Sequence, residues 1–562
     1  MFHIDNIKTK KCFNRYLKTI KKQNNMIHTY VIISIAVLLS VMILVMIGQK
    51  LKVAYPIFLV IAGLIISLVP GMPHIEIEPD LVFLIFLPPI LFEAAWFTSW
   101  QDFHKWRKQI FSMAFGLVFL TSIVVAYLSS SIIPGLTVAM GFLLGGVNSP
   151  PDAVAATSVL KHMKIPKKIT SILEGESLIN DASSLIVFKF ALAAVISGQF
   201  IWRNAIGDFF SMAVGGIAVG VAAGLLFGFF LRMIPSNSNI DTVITLIVPY
   251  IMYVGAEHFH FSGVLAVVAG GLLMSYNSHC YLSHTSRIQS GNVWSVLIFV
   301  MNTIIFILIG LELPVVVAAM KDYTISEGIF YSVVIGGAII FTRLFYSYSI
   351  MYFPWFLSKK LRAENPKPDW REPFIISFAA MRGVVSLAAA LSIPAFLPNG
   401  EAFPHRNIIL FVTFVIILIT LVGQGLMLAP ILKFLKVNDA GSDLPEEKQE
   451  VILMKKLKET ALNKLESDFS ELTETNSMVR HQKRRLENEM LMMQDKSQCM
   501  ASTGDYVTAM NENKDVIRQL IQAQRNELHR MKREKIFDDH VMRTIEMQLD
   551  FDEAKITGFA HS

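Results

Sequence analysis

The sequence predicts an all-α polytopic membrane protein of about 13 transmembrane helices with a helical C-terminal tail, and three observations carry that prediction. Of its 562 residues 53% are hydrophobic and only 17% are charged, with a mean hydropathy of +0.50, which is too apolar for an ordinary soluble enzyme. Apolar runs of about 20 residues recur along most of the chain, each long enough to cross a bilayer as a helix. The Lys and Arg residues between the runs fall into alternate connections, as topology-setting charges do. The net charge of +6 is therefore read as topology and not as a nucleic-acid surface. Cys12, Cys280 and Cys499 are too scattered for a disulfide framework or a metal cluster.

Taken in order, the spans fall at 28–48, 54–70, 81–97, 109–133, 135–160, 169–198, 205–233, 240–258, 261–276, 292–318, 327–357, 373–397 and 407–435, to within a few residues. With a cytoplasmic C-terminus, the inside connections carry Lys50, Lys52, Lys105, Arg107, Lys108, Lys161, Lys164, Lys167, Lys168, Arg232, Arg287, Lys359, Lys360, Arg362, Lys367 and Arg371. The outside connections carry Arg203, Lys321 and Arg406 alone, and that imbalance orients the chain. The first run, Ile27–Ile47, is long enough to span and has no clear small-residue cleavage site, so it reads as a helix and not as a cleaved leader. Residues 1–27 form a basic tail, with Lys8, Lys10, Lys11 and Arg15 among its cations, which this topology puts outside, against the charge rule. Either the native chain starts later, with Met26 directly before the first run, or the basic tail is real.

The transmembrane domain is assigned to 28–437 and a cytoplasmic helical domain to 438–562. Residues 438–444 form a polar linker. Beyond it Leu453, Leu457, Ala461, Leu465, Phe469 and Leu472 recur at helical spacing, marking an amphipathic helix over 451–472. A second helical stretch is expected from 505 to 550. The tail reads either as a regulatory or dimerising module with a partner of its own, or as a solvated hairpin without a specific role.

The chemistry concentrates within the spans. Glu174-Gly175-Glu176-Ser177-Leu178-Ile179-Asn180-Asp181 sets carboxylates and amides in an otherwise apolar helix. A charge at mid-bilayer costs about 3 kcal/mol on insertion scales, so such residues usually line an ion or proton path. Ser177 and Asp181 share a helix face with Glu174, while Glu176 and Asn180 lie on an adjacent one. In the preceding span, Pro150 and Pro151 remove two amide donors and leave the carbonyls of Gly146 and Val147 without their helical partners. A helix broken at mid-membrane must face protein or a watery cavity, and transporters aim such ends at ions. Ser149 with Asp152 three residues on also matches a capping box, so Asp152 reads either as a cap or as a ligand. Glu93 follows the Pro88-Pro89 pair and is a third carboxylate candidate. Arg382, at mid-span, requires a carboxylate partner, with Glu174 and Glu176 the candidates. Arg343 and Lys189 are expected to snorkel to an interface. Glu257 and Glu312, near outer ends, receive no role.

These segments together resemble the monovalent cation:proton antiporter 1 family, the sodium/proton exchangers. The resemblance rests on Leu87-Pro88-Pro89-Ile90-Leu91-Phe92-Glu93-Ala94, on the 174–181 stretch, on the block from Ala256 to Val268, and on Met381-Arg382-Gly383-Val384-Val385-Ser386-Leu387, in family order across roughly 30–435. It implies an inverted-repeat antiporter fold with core and dimerisation domains, and a homodimer in the cell membrane. It implies that Asp181 is the shared cation and proton site, assisted by Ser177, Asn180, Glu93, Ser149 and the broken-helix carbonyls of Gly146 and Val147. It also implies a structural Glu176–Arg382 pair and, from the Asn180–Asp181 pair, electroneutral exchange. One departure stands out. The family's Thr-Asp-Pro is here Ser149-Pro150-Pro151, with the acid displaced to Asp152. Two helix positions are about 200° apart, so Asp152 does not inherit the usual acid's place directly.

The function expected is exchange of Na⁺, Li⁺ or K⁺ for H⁺ by competition at Asp181, serving pH and sodium homeostasis and needing no cofactor. A sodium-coupled organic solute transporter is one alternative, although its anionic substrate needs cationic groups where this chain is mainly acidic. A receptor or scaffold acting through the tail is the other. No nucleophile–base pair or zinc motif lies within the spans, which points away from an intramembrane enzyme.

Overall fold

The structure, a computed structural model, describes residues 39–40, 42–48, 50, 55–67, 83–160, 165–198, 202–233, 237–320, 323–357, 369–435 and 446–499, with shorter stretches between 516 and 553. The chain divides into two compact units, Met1–Asp439 and Ala440–Ser562. The first contains α1 (Tyr55–Ser67), α2 (Leu87–Phe97), α3 (Trp100–Ile132), α4 (Val138–Asn148), α5 (Ala153–Leu160), α6 (Lys167–Ser197) and α7 (Trp202–Met233). It continues with α8 (Ser238–His258), α9 (Gly263–Tyr281), α10 (His284–Ala319), α11 (Ile325–Leu357), α12 (Arg371–Phe378), α13 (Val384–Leu391) and α14 (Arg406–Leu435). The all-α polytopic class is therefore observed. Seven of the described helices are long and apolar enough to cross a membrane, and shorter apolar helices accompany them. Much of the expected first span at 28–48 lies outside the described residues, so the count of thirteen is not fixed.

Local chemistry sets the helix ends. Ser99 accepts from the Asp102 amide and starts α3 at Trp100, so Lys105, Arg107 and Lys108 sit on a helix where a loop was expected. Asn237, Ser262 and Ser283 cap α8, α9 and α10 in the same way. α6 stops at Gly198, which takes the left-handed conformation at φ +69°. Two helices carry π-helical stretches, Ser112–Leu117 in α3 and Ile419–Gln424 in α14, a feature common near functional sites.

Helices in lipid gain little from hydrophobicity between them, so close approach does the packing. α7 lies along α9 because a Cβ on Gly220 would stand 2.0 Å from the Ala266 carbonyl oxygen. α6 runs through the centre of the unit. Its Ile172 belongs to the apolar cluster that includes Phe306 and Phe414, its Ile179 to that of Phe92 and Trp294, and its Phe188 to that of Ile335 and Phe411. One helix thus touches three apolar clusters, which fixes the rotation of the polar residues it carries.

In the second unit α15 (Glu446–Asp468) and α16 (Ser470–Thr475) cover the expected amphipathic stretch. α15 packs on α17 (Ser477–Cys499), helped by the Lys458–Glu489 and Lys483–Glu466 pairs. The sequence of α17 is too polar for apolar periodicity to reveal it. Most of the expected stretch at 505–550 lies outside the described residues.

Candidate functional site

Two broken helices cross where the sequence predicted one. α4 ends at Asn148 and α5 restarts at Ala153, as the Pro150-Pro151 pair requires. The span expected as continuous over 373–397 is also interrupted, with α12 ending at Phe378 and α13 starting at Val384. The two breaks pair as an antiparallel bridge in which the Asp152 amide donates to the Met381 carbonyl at 2.7 Å. Gly383 is needed for this approach, because a Cβ there would lie 2.0 Å from Asp152 Oδ2. Gly383 beside a mid-span Arg was the one sequence signal for the second break.

The crossing gathers four half-helix ends, and the charges match their polarity. Arg382 Nε donates to the Asn148 carbonyl at the end of α4 (3.0 Å), and Nη1 to the Ala380 carbonyl beyond α12 (3.0 Å). A cation at helix C-termini is stabilising by about 0.3–1 kcal/mol, and by up to ~2 kcal/mol when partly buried. The Arg382 amide, freed by the break, donates to Thr420 Oγ1 in the π-helical stretch of α14 (3.1 Å). At the opposite polarity, Asp152 Oδ1 accepts from the Val154 amide at the start of α5 (2.8 Å), and Oδ2 faces Gly383 at the start of α13. The capping box with Ser149 does not form. Ser149 Oγ donates backwards to the Gly146 carbonyl (3.1 Å), and Asp152 is itself the cap.

The ion pair differs from the expected one. Both Glu176 oxygens are taken by Arg343, with Nη1 at 2.6 Å and Nη2 at 2.7 Å, and both residues are fully buried. Arg343 does not snorkel. It also donates to the Ile376 carbonyl, tying α6, α11 and α12 together. Arg382 is close enough to feel both charges, but its hydrogen bonds go to helix ends. A planar guanidinium binds a carboxylate through two parallel bonds, and Arg343 is the residue presented to Glu176 in that geometry.

Asp181 contrasts with this. It is 8% exposed, and among the described residues no hydrogen-bond donor reaches its carboxylate. Asp152 is near enough to repel it electrostatically. Its neighbour Asn180 donates from Nδ2 to the Pro151 carbonyl (3.1 Å), which fastens α6 to the break, while Asn180 Oδ1 is buried without a partner among the described residues. Ser177, one turn earlier, is half-buried, and Glu174 is exposed. Glu93 of α2 is half-buried. Tyr55 of α1, hydrogen-bonded to Asn302 of α10, lies within electrostatic reach of both Glu93 and Asp152. Asp181 thus lies near Asp152, and Tyr55 lies near both Asp152 and Glu93, whereas Glu176 is held by Arg343 and Ser149 Oγ by the Gly146 carbonyl. Neither Tyr55 nor Asn302 was singled out by sequence, since each is unremarkable within its apolar run. Lys189 pairs with Glu257 at 3.0 Å, joining α6 to the end of α8. Among the described residues no group of three or more His, Cys, Asp or Glu could hold a metal ion.

A family model for the transmembrane sodium/hydrogen exchanger matches residues 35–434, well over half of the chain. The chain belongs to the sodium/hydrogen exchanger family. A Bacillus subtilis (strain 168) protein described as a sodium, potassium, lithium and rubidium/H(+) antiporter is 33% identical over 433 residues, covering 75% of this chain and 64% of the relative. The chain therefore spans slightly less than two thirds of the length of that relative. The Escherichia coli (strain K12) protein YjcE, described as an uncharacterized Na(+)/H(+) exchanger, is 32% identical over 72% of this chain and 76% of its own length. Among solved structures, the sodium proton antiporter MjNhaP1 from Methanocaldococcus jannaschii at pH 8 superposes with a TM-score of 0.57 at 17% identity, over 72% of this chain and 97% of that one. This sodium/hydrogen exchanger family member thus has the antiporter fold.

Proposed function

We propose that the protein exchanges Na⁺, or Li⁺ or K⁺, for H⁺ across the plasma membrane, one for one and without net charge movement, in the service of pH and sodium homeostasis. One observation carries the reading: Asp181 is a buried carboxylate with no donor among the described residues, set beside the crossing of two broken helices. Protonated Asp181 cannot hold a cation, and cation-bound Asp181 cannot hold a proton, so each displaces the other. Asn180 Oδ1, Ser177 and Glu93 are the accompanying oxygens in this reading, and the free Oδ1 of Asn180 suits a hard cation. Ser149 and the carbonyls of Gly146 and Val147 act through the shape of the break. Arg343 holds Glu176 as a fixed pair, so Asp181 alone carries the exchanged charge.

Relatives described as Na⁺/H⁺ antiporters support the activity. An organic-anion carrier is disfavoured because the guanidinium at the crossing, Arg382, is committed to two backbone carbonyls. The reading includes a homodimer, a cytoplasmic C-terminus and residues 438–562 as a cytoplasmic module. The test is cation-induced dissipation of ΔpH in proteoliposomes, scanned over Na⁺, Li⁺ and K⁺, with the potential clamped by valinomycin for the Na⁺ and Li⁺ arms. At least one cation should dissipate ΔpH at an initial rate insensitive to potential. Dissipation by none of the three refutes antiport, and a rate that rises steeply with potential refutes one-for-one exchange.

A further inference from the structure

The first turns of α3 carry an unneutralised basic surface. Lys105, Arg107 and Lys108 are all exposed, and among the described residues none has a carboxylate partner. Arg107 Nη1 donates to the His104 carbonyl of its own helix (2.8 Å). Lys168 provides a contrast at the same level. Its ammonium and that of Lys105 both lie over the Trp106 ring, at 5.1 and 5.3 Å, yet Lys168 has Glu372 to neutralise it.

The level of this surface can be placed. α3 has 33 residues, about 50 Å at 1.5 Å per residue, against a hydrocarbon core of about 30 Å, so its ends must reach the interface. Trp106, under the Lys105 and Lys168 ammoniums, is an aromatic side chain at that level, as expected of an interfacial belt. Trp100, about 11 Å further out along the helix than Arg107 and Lys108, is exposed, with its ring 6.0 Å from that of exposed Tyr276. Arg107 and Lys108 lie four and three residues before Phe111 and so flank it on the helix surface. Phe111 is exposed and stacks on Phe115 one turn deeper. Two cations at headgroup level above two aromatic rings directed into the apolar layer match the two ends of one phospholipid molecule.

We propose that this surface binds anionic phospholipid, with the headgroup phosphate between Arg107 and Lys108 and an acyl chain along Phe111 and Phe115. Lys105 adds to the attraction, since each basic residue near an anionic surface strengthens binding. Just beyond the basic turn, the π-helical stretch presents the Ala114 carbonyl to Ser183 Oγ (2.5 Å), two residues after Asp181. Lipid held here braces α3 against the helix that carries the buried carboxylate.

The test uses the full-length protein in detergent and follows its thermal unfolding with added phosphatidylglycerol, phosphatidylcholine or inorganic phosphate. Phosphatidylglycerol should raise the unfolding temperature by several degrees, and the other two should not. Arg107→Gln/Lys108→Gln should lose most of that rise, while Arg107→Lys/Lys108→Arg should keep it. An equal rise with phosphatidylcholine or with inorganic phosphate overturns the proposal, as does no rise in the wild type or an undiminished rise in the neutralised variant. If the double variant does not fold, Lys108→Gln alone should raise the phosphatidylglycerol concentration needed for half of the shift, and an unchanged half-point overturns the proposal. Thermal unfolding does not depend on exchange, so this outcome is separate from the fate of the proposed antiport.

Discussion

Glu176 and Asp181 lie five residues apart on one helix, both buried, and the protein treats them in opposite ways. Glu176 receives two hydrogen bonds from Arg343 and is fully neutralised. Among the described residues Asp181 receives none, and it lies within electrostatic reach of the Asp152 carboxylate instead. A carboxylate held at 2.6 and 2.7 Å by a guanidinium serves as a tie between helices. A buried carboxylate left without a donor is costly in a folded protein unless a proton or a cation visits it. Asp152 is an intermediate case, half satisfied by the amide of Val154 and placed at the starts of two half-helices.

The largest effect should follow loss of the unpaired group. Asp181→Asn should abolish exchange while the protein still inserts and folds, because an amide can neither carry the proton nor balance a cation. Retention of more than about a tenth of wild-type exchange in proteoliposomes would remove Asp181 from the centre of the mechanism and undo the contrast with Glu176.

A smaller effect, on stability instead of transport chemistry, is expected of the paired group. Glu176→Gln or Arg343→Met alone strands a buried charge and should cost about 3–5 kcal/mol, seen as a lower unfolding temperature or folded yield. The double variant Glu176→Gln/Arg343→Met should recover part of that loss, and Glu176→Gln/Arg382→Gln should not. Recovery with Arg382 in place of Arg343 would move the tie to the other guanidinium.

The smallest change should come from Asp152→Asn. Asn caps a helix about as well as Asp, so the stability change should stay below about 1 kcal/mol and electroneutral exchange should persist. If wild-type exchange instead responds to membrane potential and the variant loses that response, Asp152 carries a second proton and belongs with Asp181.

Much of this was legible before any coordinates. Apolar runs and alternating basic connections required a polytopic helical protein, because lipid leaves no other way to satisfy a spanning backbone. Pro150 and Pro151 required the break after Asn148, since a missing N–H is a property of the residue itself. Asp181 was visible as a carboxylate too deep to be accidental. Three decisions belonged to the tertiary structure. Arg343 and Arg382 both lie within spans, and which of them meets Glu176, 167 residues from Arg343, depends on how α6 and α11 are rotated against each other. The break between α12 and α13 has no proline of its own. It exists because the Met381 carbonyl accepts from the Asp152 amide and Thr420 accepts from the amide of Arg382, exchanging helical bonds for contacts with distant chain. That Asp152 caps α5 turned likewise on the Val154 amide and on the absent side chain of Gly383, a contact only the folded crossing creates. Covalent properties act wherever the residue stands, whereas pairing between helices is set by the packing of whole surfaces.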